Sequence, residues 1–214
     1  VFKNVTAGFY VDLGASHPTA DSVTKWFYNR GWHGVNVEPN PLLFRLIKEE
    51  RSRDLTIQAA ISDRNGTATF NVFTTTELRL GAGLSSFYKP ENLPPEMQRV
   101  MTTIEVATLT LDELHRRYNL PSEYEFLKID VEGAEADVLK GATFRSYRPI
   151  VIIIEATAPG TQVLTHSKWE HLLPAGYSFV YFDGLNRFYL REESSHLKEH
   201  FSYPPCVFDN FTKR

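Results

Sequence analysis

The sequence is short of cysteine, of charge imbalance and of long apolar runs. Cys206 is the only cysteine in 214 residues. No intrachain disulfide can form and nothing ties the chain to an oxidising compartment, so a cytoplasmic protein is expected. Lys and Arg number 23 against 26 Asp and Glu, a formal net charge of -3. A nucleic-acid binder carries a basic excess; this chain has none, and no nucleic-acid partner is expected. The nearest basic cluster, Arg51, Arg53 and Arg64, is interrupted by Asp54 and Asp63 and reads as solvated surface. The longest purely aliphatic run, Ile150 to Ile154, falls far below the roughly 20 apolar residues of a membrane span. The first residues lack the charged-then-apolar pattern of a leader. The chain does not begin with Met and enters a strand almost at once, as a domain cut from a longer protein would.

What is present is ordinary globular material. With 42% hydrophobic residues, 12 Gly and 12 Pro, the composition excludes collagen-like and low-complexity classes. A chain of this length buries roughly 70% of its unfolded surface, and one domain over residues 1–214 is expected.

Strand and helix signals alternate along the chain. Strands are predicted at Gly8 to Leu13, Gly34 to Val37, Leu55 to Ile61, Thr67 to Phe73, Ile104 to Thr108, Phe126 to Ile129 and Ile150 to Ile154. Helices are predicted at Thr19 to Arg30 (Val23, Trp26 and Phe27 at helical spacing), Leu42 to Arg51, about 110 to 118, Ala134 to Leu139 and Ser167 to Leu173. Thr110-Leu111-Asp112-Glu113 is a capping box. Tyr177 to Phe182 and Arg187 to Arg191 flank Asp183-Gly184, a hairpin signal. Residues 74 to 96, rich in Thr, Gly, Ser and Pro, show no period. They read as a lid that orders over a ligand, bringing Leu84, Ser85 and Ser86 to donor or acceptor.

Alternation of this kind predicts an α/β fold with a mostly parallel, doubly wound sheet. Its ligands bind at the carboxyl ends of the strands. The residues there are Asp12 to Ser16, Glu38, Ser62 and Asp63, Asp130 to Glu132, and Glu155. A dinucleotide site needs G-x-G-x-x-G so that the backbone can approach a pyrophosphate. Here only Gly14 remains, with Ser16 and Pro18 where later glycines would stand. Glu38, ending the second strand, can accept hydrogen bonds from ribose hydroxyls. One glycine and one ribose acid fit an adenosine without phosphates, and S-adenosylmethionine is such a molecule. Methyltransferases of the Rossmann-like class also end on an antiparallel strand inserted into the sheet, which Tyr177 to Arg191 would supply.

The run Phe126-Leu127-Lys128-Ile129-Asp130-Val131-Glu132-Gly133-Ala134-Glu135 closely resembles the signature of the FkbM family of S-adenosylmethionine-dependent methyltransferases. Tyr10 to Ala15, Val37-Glu38-Pro39, Gly83-Leu84-Ser85, Thr110-Leu111-Asp112 and Phe182 to Asn186 stand in the family order, so the resemblance spans residues 10 to 190. His17-Pro18 departs from it, since most methyltransferases of this type keep a glycine there. Asp21 to Tyr28 resembles a helix of a bacterial branch whose members are often encoded beside, or fused to, sugar-transfer enzymes (glycosyltransferases). The resemblance implies the class I methyltransferase fold and O-methylation, commonly of a sugar or glycan hydroxyl.

On this reading Asp12, Gly14, Ala15, Ser16, Glu38 and Asp130 hold the cofactor, and Ser62 and Asp63 lie near the adenine. An alcohol needs a general base or a metal to lose its proton. His166 is the expected base, ahead of His17, with Asp130 and Glu155 beside it. Glu132, Ser85 and Trp169, the last stacked on a sugar face, would meet the acceptor. Asp130 and Glu155 could instead hold a divalent metal through oxygen ligands, but two acids do not make a site and none is assigned. The alternatives are a nicotinamide-dependent oxidoreductase and a non-catalytic adenosine-binding domain.

Overall fold

A computed structural model describes residues 1–73, 99, 101–158 and 161–202. Residues 74 to 96, with Leu84, Ser85 and Ser86, lie outside the described residues, as does Cys206. No described helix is long and apolar enough to cross a membrane.

Seven strands form the main sheet. They are β1 (Phe9–Leu13), β2 (His33–Val37), β3 (Leu55–Ile57), β7 (Glu123–Ile129), β8 (Arg148–Glu155), β9 (Tyr177–Phe182) and β10 (Asn186–Arg191). Their order is β3-β2-β1-β7-β8-β10-β9. Neighbours are parallel from β3 to β8, and β10 is antiparallel to both β8 and β9. The last of the described strands is thus inserted into the sheet, as the hairpin signal predicts. A second sheet has the order β4-β6-β5, built from β4 (Ala60–Ile61), β5 (Gly66–Phe73) and β6 (Met101–Leu109).

Helices form where the ends are satisfied. Helix α2 (Pro41–Glu50) has Pro at its first turn, and the Asn40 side chain accepts from the Leu42 N–H at 3.0 Å. Helix α3 (Leu111–Tyr118) is capped by Thr110, whose hydroxyl accepts from the Glu113 N–H at 3.1 Å. Helices α1 (Val23–Tyr28) and α4 (Glu135–Lys140) are short.

The strand period of two divides the core. Val11, Leu13, Leu127 and Ile129 point into the larger cluster, while Tyr10 and Phe126 pack with Trp32 and Val151 on the other face. Asp12 and Lys128 share that second face and are register partners across β1 and β7, with Asn36 opposite Asp12 on β2. A buried polar ladder therefore crosses β2, β1 and β7.

Three sequence expectations need correction. The predicted strand Leu55 to Ile61 breaks at Gln58: β3 ends in the main sheet and β4 begins the other. On α1, Val23 and Trp26 are 41% and 54% exposed, and Thr24 and Tyr28 are the buried positions. Thr24 takes that place because its hydroxyl donates to Asp12 Oδ2 at 2.8 Å. The predicted helix Ser167 to Leu173 is two single 3-10 turns, His166–Lys168 and Glu170–Leu172.

Arg51 is also not surface. It is 1% exposed, and its guanidinium gathers the segment before and into α1. Nε and Nη2 donate to the Pro18 carbonyl at 3.0 and 2.6 Å, and Nη1 to Thr24 Oγ1 at 2.6 Å. Nη2 also donates to Ser22 Oγ, and Asp54 Oδ2 lies 3.9 Å away as counter-charge. Arg51→Met should cost about 3–5 kcal/mol in urea unfolding, as removal of one partner of a buried ion pair does. A loss under about 1 kcal/mol, the range of exposed pairs, would show that segment 18–24 keeps its shape without the guanidinium.

Candidate active site

The carboxyl ends of β1, β2 and β7 surround a cleft of about 230 Å³. Asp12, Gly14, Ala15, Ser16, Glu38 and Asp130 all line it, so the structure brings these sequence candidates together. The turns leaving β1 and β7 cross in contact, and the Asp130 N–H donates to the Leu13 carbonyl at 3.0 Å. Gly14 has φ +76°, and a Cβ there would lie 1.8 Å from the Asp130 carbonyl oxygen. The residue is glycine because two backbones cross at it; no phosphate is needed to explain it.

Glu38 is 4% exposed. Its Oε2 accepts from the Ser16 N–H at 2.9 Å and Oε1 from the Asn40 N–H at 2.8 Å. Burial pushes its pKa up to about 7, opposed by those two backbone donors. Further donors, such as ligand hydroxyls, would favour the charged form.

Lys128, which the sequence reading passed over, sits beside the cleft floor. Its Nζ is 3.3 Å from Asp12 Oδ1 and 3.0 Å from Asp130 Oδ2. Burial acts to lower the ammonium pKa, but the two carboxylates override it and hold the group above the ordinary lysine value. The signal was available: a lone cation in an apolar strand, on the same strand parity as Asp130.

The same cleft is also lined by apolar Leu43, Ala59, Ala60, Ile61 and Phe70. Ser62 and Asp63, expected near an adenine, are not among the lining residues. The break after β3 carries the chain into the second sheet, where the Ser62 N–H donates to the Leu109 carbonyl at 2.9 Å. Ala59 to Ile61 take the place at the cleft instead.

Beside the cleft, Asp130, Glu132 and Glu155 each offer a carboxylate oxygen, all within 4.8 Å of one another. Asp130 is not the cap of α4; Ala134 holds that position. Glu132 lies at φ +53° beside Gly133 at φ +98°. Glu135 Oε1 braces this loop, accepting from the Gly133 N–H at 3.0 Å and the Val131 N–H at 3.4 Å, which gives Glu135 a structural task. Burial, and then the Asp130 charge, push Glu132 up to about 8 and Glu155 up to about 9.

The remaining candidates stand apart. His166 is in the first 3-10 turn after the β8 loop and does not line the cleft. His17 Nδ1 accepts from the Thr19 and Ala20 N–H groups at 3.2 and 3.0 Å, so that nitrogen serves the local turn. Trp169 is 1% exposed within the main core, its ring 6.1 Å from Tyr189. It has no open face on which a sugar could stack, because the loop after β8 folds it inward.

The strand order, the acids at its carboxyl ends and the inserted antiparallel β10 now meet an independent match. The model of the Methyltransferase FkbM domain fits residues 12–181. The chain belongs to the FkbM methyltransferase family. Its fold is accordingly the class I methyltransferase fold, and the FkbM match contains every residue of the cleft. No curated protein and no solved structure matches the chain. For this FkbM protein a nicotinamide-dependent oxidoreductase gives way to a methyltransferase.

The pKa of Glu38 predicts a pH dependence. Its folded value lies above the ordinary 4.5, so the unfolded chain ionises first. Its contribution to stability is full below about pH 4.5 and lost as pH rises through about 7. In ligand-free protein the urea midpoint of Glu38→Gln should therefore fall less between about pH 5 and 8 than the parent's. Equal slopes would mean that Glu38 meets water freely.

Proposed function

We propose that this methyltransferase takes its methyl group from S-adenosylmethionine and delivers it to a hydroxyl of a sugar or glycan. One juxtaposition carries the reading: a single cleft is lined by buried Glu38, by the apolar residues Leu43, Ala59 to Ile61 and Phe70, and by the carboxylates of Asp130 and Glu132. The residues fit the donor. Glu38 would accept from the ribose hydroxyls, Ala59 to Ile61 and Phe70 would cover the adenine, and the Gly14–Ser16 turn with Asp130 would hold the methionyl end. Nothing in the turn resembles a pyrophosphate cradle, since its only glycine is occupied with the Asp130 carbonyl.

When bound, S-adenosylmethionine supplies a methyl group activated by its sulfonium. The chain's own task is to orient the acceptor hydroxyl and manage its proton. Asp130 and Glu132, which line the cleft, and Glu155 within 4.8 Å of them are suited to that task, and Lys128 fixes Asp130 in place.

Calorimetry should show binding of S-adenosylmethionine and its demethylated product, and none of NAD. Glu38→Ala should lose about two hydrogen bonds to a charged acceptor, each near 1.5–3 kcal/mol; parental affinity in that variant would remove the ribose role.

With a sugar acceptor, Glu155→Gln should lower turnover by about 10²–10⁴-fold while donor affinity stays near the parent's. A fall of that size in His166→Ala, with Glu155→Gln active, would move proton transfer to the histidine. Failure to form demethylated cofactor with any hydroxyl acceptor, despite tight donor binding, would favour a non-catalytic adenosine-binding domain.

A further inference from the structure

We propose that Asp130, Glu132 and Glu155 together hold one divalent cation of the oxygen-preferring class, magnesium or manganese, at the acceptor end of the cleft. This deepens, and rests on, the reading of methyl transfer to a hydroxyl.

Geometry comes first. One oxygen from each residue lies within 4.8 Å of the others. Ligands bound at about 2.1 Å to one cation stand at most about 4.2 Å apart, so the three carboxylates are already close to ligand separation. They come from two neighbouring parallel strands: Asp130 and Glu132 follow β7, and Glu155 ends β8. Packed backbone on the β8 side and the Glu135-braced loop on the β7 side hold them there.

Glu155 supplies an independent observation. It is 7% exposed, and its Oε2 is fully enclosed with no hydrogen-bond partner among the described residues. A buried carboxylate oxygen without a donor is costly to leave so. One of the Glu155 carboxylate oxygens lies within 4.8 Å of those offered by Asp130 and Glu132, which places it in the group. Three carboxylates this close repel one another when nothing positive lies among them. A cation among them offsets that repulsion and satisfies the enclosed oxygen as well. Lys128 cannot do so for all of them, since its contacts are with Asp12 and Asp130.

The chemistry follows from the place. A cation lowers the pKa of a hydroxyl brought to it. Once they are ligands the carboxylates no longer take the hydroxyl proton themselves: it leaves to solvent water, the oxygen forms its bond to the methyl carbon, and the sulfur–methyl bond breaks with the electron pair kept by sulfur. Magnesium commonly takes only one or two carboxylates and keeps water in its other positions, which leaves room for the acceptor.

The test is a Mn²⁺ titration of the full chain, followed by the electron paramagnetic resonance of the free ion, without donor or acceptor. One Mn²⁺ per chain is expected. Glu155→Gln and Asp130→Asn should each weaken binding about tenfold or more, as loss of a metal-site residue does, while Glu50→Gln, on the exposed end of α2, should leave it unchanged. Circular dichroism confirms folding; should Glu155→Gln fail to fold, Asp130→Asn, whose side chain is 28% exposed, decides. No binding by the folded parent at millimolar Mn²⁺, or unchanged binding in the folded variants, overturns the proposal. Calorimetry with S-adenosylmethionine on the same samples separates the two claims. Donor binding without Mn²⁺ binding sinks the cation and leaves methyl transfer standing; Mn²⁺ binding without donor binding does the reverse.

Discussion

The ammonium of Lys128 is the interaction on which the rest depends. It lies between Asp12 at the end of β1 and Asp130 just beyond β7, on the sheet face where Tyr10 and Phe126 pack. A charge in that position is tolerable only if paired. Pairing in turn dictates the register of β1 against β7. A slip of one residue would send Lys128 to the opposite face, into the main core, and leave Asp12 without its cation. The same register sets the Asp130 carbonyl against Gly14 and so shapes the cleft. Fold specificity and site geometry therefore rest on one buried charge.

A second polar network extends the first. Asp54 Oδ2 accepts from the Tyr10 hydroxyl at 2.6 Å and from Asn36 Nδ2 at 2.8 Å, and Oδ1 accepts from the Gly34 N–H at 2.9 Å. Arg51 joins this to Thr24, and Thr24 joins it to Asp12. The side of the cleft formed by residues 20–23 is thus linked, through side chains alone, to the floor that Lys128 holds. Such a network leaves few low-energy alternatives, since a partly satisfied one is costly.

Much of this was legible in the sequence, and the failures have physical causes. Strand alternation and the hairpin around Asp183 are local signals, and the structure follows them. At Thr110 only half of the capping box forms, because the Thr110 N–H donates to Asn65 and the Glu113 carboxylate takes Arg116 and Arg117. Gly14, Glu38 and Asp130 were legible because topology alone places strand ends at the cleft. Arg51 was misread because burial of a cation depends on partners far off in sequence, here Pro18 and Thr24. Ser62 and Asp63 were misplaced because apolar pattern cannot tell one strand from two that part company between sheets. Trp169 shows the reverse: an aromatic on a loop read as a binding surface, while the chain spent it on the core. Lys128 is legible from strand parity, which puts it on the face that Asp12 shares.

The place of β1 in the sheet also orders events in time. Its Phe9 N–H donates to Glu125 across 116 residues of chain, whereas β2 follows within one short crossover. During synthesis at about 5–20 residues per second, the Gly14 and Glu38 side of the cleft can assemble several seconds before the strand carrying Lys128 exists. Until then β1, the most deeply buried strand of the final sheet's first half, is an edge with unpaired backbone groups. Such an edge invites pairing with another chain. A translation product that stops short of residue 123 would be left in that state, with Asp12 lacking its cation and β1 lacking its neighbour.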